Sequence, residues 1–244
     1  MIGARLMRFL SSVIAAVILA AGAASAAPVT FAAADGITVH ADYQGQGDRA
    51  LIVLFHQAGS NLHEYDPIVP RLHELGFDTL AVSQRSGGAR FGGVNETADG
   101  VGGEPNYLAA YLDMEAALDF AQGKSGRVVV WGSSYSSALV FKLASDHPKG
   151  VVGVLSFSRG EYFGSVFSVN MAAAKLVAPV FATSASDAGE IAAAKAILAA
   201  VPGKTTQFVP KHGVHGSSTL REDENPIGTA ENWQAVAAFL APLR

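Results

Sequence analysis

No cysteine occurs among the 244 residues. That absence excludes disulfides, thiolate metal sites and a cysteine nucleophile, so an exported life would rest on packing alone. Charge is scarce too: Asp, Glu, Lys and Arg make up 16% of the chain, and the formal net charge is -4. With no basic excess, nucleic acid and anionic membrane surfaces are poor partners. Long apolar runs are missing except at the start. There Arg5 and Arg8 precede "FLSSVIAAVILAAGAASA", and Ala24-Ser25-Ala26 forms the small-x-small pattern of a signal-peptidase site. The strongest apolar part is short for a membrane span, although the lack of charge from Phe9 to Ala34 leaves an uncleaved anchor as the alternative. Residues 1–26 therefore read as a signal peptide and 27–244 as one exported domain, periplasmic or secreted, with no stable membrane association after cleavage. Losing Arg5 and Arg8, and no acid, takes the formal charge to about -6.

Half of the residues are hydrophobic, enough for one substantial core. Strand-like runs at 37–43, 50–56, 77–83, 127–131, 151–157, 179–185 and 205–210 alternate with helical spacing at 64–76, 107–123, 137–148, 189–201 and 230–243. This alternation predicts an α/β fold, a mostly parallel sheet with helices on both faces. Such sheets keep their chemistry at the carboxyl ends of the strands. At one of those ends "VVVWGSSYSSALV" runs from a β-branched stretch into Gly132-Ser133-Ser134-Tyr135-Ser136. The pattern fits a nucleophile elbow, in which a tight strand-to-helix turn needs small residues two before and two after the exposed serine. Ser134 is then the reactive candidate.

A serine hydroxyl needs a base, and the base needs an acid to orient it. Asp187 follows the strand after next, and "PKHGVHGSS" offers His212 and His215 after the last strand. Glu161 and Glu190 are alternative acids, Glu190 lying within the following helix, where a solvated or capping role is ordinary. Three decoys fail on spacing. Gly123-Lys124-Ser125 lacks the first P-loop glycine, because Leu118 stands there. His63-Glu64 and His73-Glu74 lack the second zinc histidine, replaced by Pro67 and Phe77. No metal and no cofactor is implied.

"LFHQAGSNLHEYDPIVPRLHELGFDTLAVSQRSGG", "SFSRGEYFG", "APVFATSASDAG" and "KHGVHGSSTL" together resemble small α/β-hydrolases of the dienelactone-hydrolase-like and esterase group, over most of the mature chain. The resemblance implies an α/β-hydrolase fold with Ser134 as nucleophile, Asp187 as acid and His215 as base. His212 is left as a loop or pocket residue. Dienelactone hydrolases proper use a cysteine nucleophile, so their lactone substrate does not carry over. The oxyanion hole is expected from the backbone N–H groups of Tyr135 and, in the "HQAGS" loop, Gln57. His56 reads as a residue that orders this loop.

Between the strands at 151–157 and 179–185 the chain is too short for a large lid, so an open pocket is expected, with Tyr162, Phe163 and Phe167 as substrate contacts or ordinary core aromatics. The glycine-rich stretch 84–106 is either a plain connection or a mobile wall of the site mouth, pinned by Arg85. The expectation is a serine hydrolase acting on carboxylic esters of small or medium acyl groups, its partner a small-molecule ester. An acyltransferase with the same residues, or a non-catalytic binding protein on this fold, are the alternatives.

Overall fold

The computed structural model of the protein describes residues 26–103 and 106–244, so the segment expected to be a signal peptide lies, Ala26 apart, outside the described residues. Eight strands make one sheet: β1 (Ala27–Ala32), β2 (Thr38–Gln44), β3 (Leu51–Phe55), β4 (Asp78–Ser83), β5 (Val128–Ser133), β6 (Val151–Phe157), β7 (Val180–Thr183) and β8 (Thr205–Gln207). Their order is β1-β2-β4-β3-β5-β6-β7-β8. The β1–β2 and β2–β4 pairs are antiparallel and every other pair is parallel.

Burial on both faces explains the apolar strands. All five residues of β3 are buried. Leu51, Val53 and Phe55 point into one core and Ile52 and Leu54 into the other, the period of two that a pleated strand imposes. β5 repeats this with Val128 and Val130 on the first face and Val129 and Trp131 on the second. Helices α3 (Ala110–Gln122), α4 (Tyr135–Asp146), α5 (Val169–Ala173) and α6 (Ala188–Leu198) fill the first core, while α1 (Val69–Glu74) and α7 (Thr229–Leu240) fill the second.

Three local readings differ from the sequence expectation. β1 was not expected; it is an edge strand with little burial to mark it. The helix expected over 64–76 is split into a 3-10 turn, Leu62–Tyr65, and α1, because Pro67 and Pro70 lack the N–H groups a continuous helix needs. The glycine-rich stretch contains a short helix, α2 (Glu96–Val101), whose Ala98 N–H is capped by Asn95 Oδ1 at 2.9 Å. Arg85 anchors the start of this stretch, donating to the buried Asp113 at 2.7 Å and also bonding Asp35. Between β6 and β7 only α5 intervenes, so no large lid covers the carboxyl ends of the strands.

Candidate active site

The turn from β5 into α4 carries the strained backbone an elbow requires. Ser134 has φ 57° and ψ -121°, a left-handed φ that a non-glycine residue holds only at a cost of about 1–3 kcal/mol. Neighbouring bonds impose it. The Ser134 N–H donates to the Phe157 carbonyl at 2.9 Å. The Ser133 N–H donates to Ser136 Oγ at 2.8 Å, and that hydroxyl lies 2.8 Å from the Phe55 carbonyl. Gly132 is needed for close approach, since a Cβ there would stand 2.4 Å from the Ser136 carbonyl oxygen.

Ser134 Oγ lies 2.8 Å from His215 Nε2, which joins the expected nucleophile and base across 81 residues of chain. The acid on the other ring nitrogen is not Asp187. His215 Nδ1 lies 2.7 Å from Glu190 Oε1. Asp187 instead is the N-cap of α6, its Oδ1 accepting the N–H groups of Gly189 at 2.8 Å and Glu190 at 3.0 Å. The Asp-x-x-Glu spacing is a capping pattern, and it was the available sign that Asp187 would be held by the backbone.

Glu190 is well suited to pair with an imidazolium. Desolvation pushes its carboxyl up, but bonds with His215 and Ser158 and from the Ala185 N–H outweigh that and bring it down to about 2. With Glu190 ionised, Nδ1 is the protonated nitrogen of His215, and Nε2 faces the Ser134 hydroxyl as an acceptor. Ser158, itself at φ 55°, also accepts the Gly216 N–H at 2.9 Å, tying the histidine loop to the end of β6.

One expected oxyanion donor is otherwise engaged. The Gln57 N–H donates to Glu64 Oε2 at 2.8 Å, and nothing in the sequence marks a carboxylate seven residues on as its acceptor. The next residue, Ala58, lines the cleft at Ser134, and among the described residues its N–H has no acceptor. The same holds for the N–H of Tyr135, the first residue of α4. These two groups are free to bind an anionic oxygen.

The cleft beside Ser134 has a volume of about 730 Å³, and Tyr107, Leu108, Tyr162, Phe163 and Val166 form its apolar wall. Phe167 is not part of that wall; it packs behind Phe163, with ring centroids 6.0 Å apart. A smaller hollow of about 400 Å³ between β8 and α7 is lined, among the described residues, by no histidine or carboxylate. His212 stands in a different loop role: its N–H donates to Glu231 at 2.9 Å and its carbonyl accepts from Asn225. His56 is fully buried, with Nδ1 2.7 Å from the Gln57 carbonyl and Nε2 accepting the Gln84 N–H at 2.9 Å, so it orders the loop after β3.

This architecture recurs among solved structures. A dienelactone hydrolase from Anabaena variabilis ATCC 29413 superposes with a TM-score of 0.70 at 16% identity, covering 91% of this chain and 99% of that one. An esterase of Pyrococcus furiosus gives 0.68 at 16% identity, covering 89% and 90%. A thermostable carboxyl esterase from Bacillus coagulans gives 0.66 at 13%, covering 90% and 99%. No protein-family model and no curated protein sequence matches the chain. The protein has the α/β-hydrolase fold.

Proposed function

We propose that the protein is a serine hydrolase that cleaves uncharged carboxylic esters of small or medium acyl groups. The observation that carries this is the unbroken relay from Ser134 Oγ through His215 to Glu190, at 2.8 and 2.7 Å, on a strained elbow. His215 Nε2 takes the hydroxyl proton as Ser134 attacks the ester carbonyl, and Glu190 stabilises the imidazolium. The Ala58 and Tyr135 N–H groups hold the developing oxyanion. His215 then protonates the departing alcohol, and water, activated by the same nitrogen, releases the acid from Ser134.

Two features support the substrate class. Among the described residues no Asp, Glu, Lys or Arg lines the cleft, so a charged acyl group would meet no partner from them. The His215 side chain is 44% exposed, which supports water, over a second alcohol, as the acyl acceptor. The non-catalytic alternative is disfavoured by the cost of keeping Ser134 at a left-handed φ.

The test is a panel of p-nitrophenyl esters together with a fluorophosphonate label mapped to its peptide. The label is expected on Ser134, and Ser134→Ala is expected to lose labelling and about four to six orders of magnitude of turnover while remaining folded. Parental hydrolysis by folded Ser134→Ala would refute the reading.

A further inference from the structure

Behind the elbow lies a carboxylate that the proposed reaction does not use. Glu64 is fully buried. Its Oε2 accepts the Gln57 N–H at 2.8 Å, and its Oε1 accepts the Ser133 hydroxyl at 2.6 Å. Ser133 Oγ in turn accepts the Ser217 N–H at 2.8 Å. The fit is close, since a Cβ on Gly216 would stand 2.6 Å from that same oxygen.

These three partners sit next to the three reacting groups. Gln57 precedes Ala58, Ser133 precedes Ser134, and Ser217 is two residues beyond His215. We propose that Glu64 is a positioning residue whose ionised carboxylate holds the oxyanion loop, the nucleophile turn and the histidine loop in one register. The proposal rests on the serine-hydrolase reading of Ser134 and His215.

A carboxylate suits the place because both of its oxygens face donors, and only the ionised form accepts on both without carrying a proton of its own. Once protonated, Glu64 presents a third hydrogen to the Gln57 N–H and the Ser133 hydroxyl. One contact must then break or reverse. If Ser133 Oγ reverses, it accepts from both Glu64 and Ser217 and its own hydrogen needs a new partner.

The surroundings set where that change falls. The Arg221 guanidinium donates to the Glu64 carbonyl at 2.8 Å and favours the ionised form, as do the hydrogen bonds of Ser133, Gln57 and Ser60. The hydroxyls of Tyr65 and Tyr135 are the other titratable groups that sense Glu64. Burial is the largest influence and pushes the carboxyl up to about 7, so the clamp titrates within the working range of an esterase.

The experiment compares the wild type with Glu64→Gln, measuring kcat and KM for p-nitrophenyl acetate from about pH 5 to about pH 9. Glutamine keeps the shape but cannot accept on both ends. The acid limb of kcat is expected to fall with two protons in the wild type and with one in the variant, the difference being the Glu64 proton. At about pH 8 the variant's kcat should be lower by about 10–100-fold with KM changed less than about twofold, the signature of reacting groups displaced after binding. A variant with parental kcat, or one that keeps the two-proton limb, overturns the proposal. A one-proton limb in the wild type overturns it too, whether or not the variant folds. Fluorophosphonate labelling of wild-type Ser134 separates the two readings. Without it the hydrolase assignment fails, and with it the limbs judge Glu64 alone.

Discussion

Asp187 and Glu190 stand three residues apart and do different work. Asp187 satisfies two N–H groups at the start of α6, whereas Glu190 reaches His215 Nδ1 at 2.7 Å. Exchanging either carboxylate for a neutral group should therefore have distinct consequences. Glu190→Gln removes the negative partner of the imidazolium and can present the wrong tautomer to Ser134, so kcat/KM should fall by about 10³–10⁴-fold with the fold intact. Asp187→Ala should cost about 1 kcal/mol of stability as a lost cap and leave kcat within about threefold. Steady-state kinetics and urea midpoints on the two purified variants check this. Equal kinetic losses would return Asp187 to the relay. The sequence could not rank these acids by position alone, because both follow β7; the capping pattern was the one local sign, and it speaks of helix geometry, not of reach across space.

At the scale of elements, the elbow was the most legible part of the chain. A β-branched run followed by Gly132, Ser134 and Ser136 specifies a strand, a tight turn and a helix through local sterics, and those are the elements observed. Contacts between elements were less legible. That Gln57 would give its N–H to Glu64 depends on how the 3-10 turn Leu62–Tyr65 packs beneath β3, and no spacing in the sequence encodes it. β1 was missed for a related reason: its pairing with β2, not its own pattern, makes it a strand. Ser136 shows how the elbow depends on three elements at once, since its hydroxyl meets both the Ser133 N–H and the Phe55 carbonyl at the end of β3. Ser136→Val should orphan the buried Ser133 N–H, leave the Phe55 carbonyl to the Tyr65 hydroxyl at 2.6 Å, and crowd the turn, destabilising the protein by about 2–4 kcal/mol. Chemical denaturation gives the value, and a loss below about 0.5 kcal/mol would show that the turn does not rely on this hydroxyl.

For the molecule as a whole, the start of the sheet and its response to pH are both set by where groups are buried. β1 begins at Ala27, so cleavage of a leader after Ala26 would leave every sheet residue in place. Among the described residues no helix is long and apolar enough to cross a membrane. Two buried groups at the site then pull stability in opposite directions. Burial lowers His56 from 6.5 to about 4, so its contribution is complete above about 6.5 and is lost as pH falls through 4. Burial raises Glu64 from 4.5 to about 7, so its contribution is complete below about 4.5 and is lost as pH rises through 7. Between 4.5 and 6.5 the two slopes offset one another. Half-buried His73 shifts in the same sense as His56, and Glu190, brought down to about 2, acts mainly below this window. Glu64→Gln removes the Glu64 slope and leaves the histidines untouched, as well as the carboxyls of Asp42 and Asp113, which burial also raises and which both proteins share. Going from about pH 6.5 to about pH 4.5, the variant should therefore lose about 2–3 kcal/mol more unfolding free energy than the wild type. Urea unfolding of both proteins at the two pH values measures the difference directly. If the curves stay parallel, Glu64 does not hold its proton through this range in the folded protein, and the buried carboxylate would be ionised throughout.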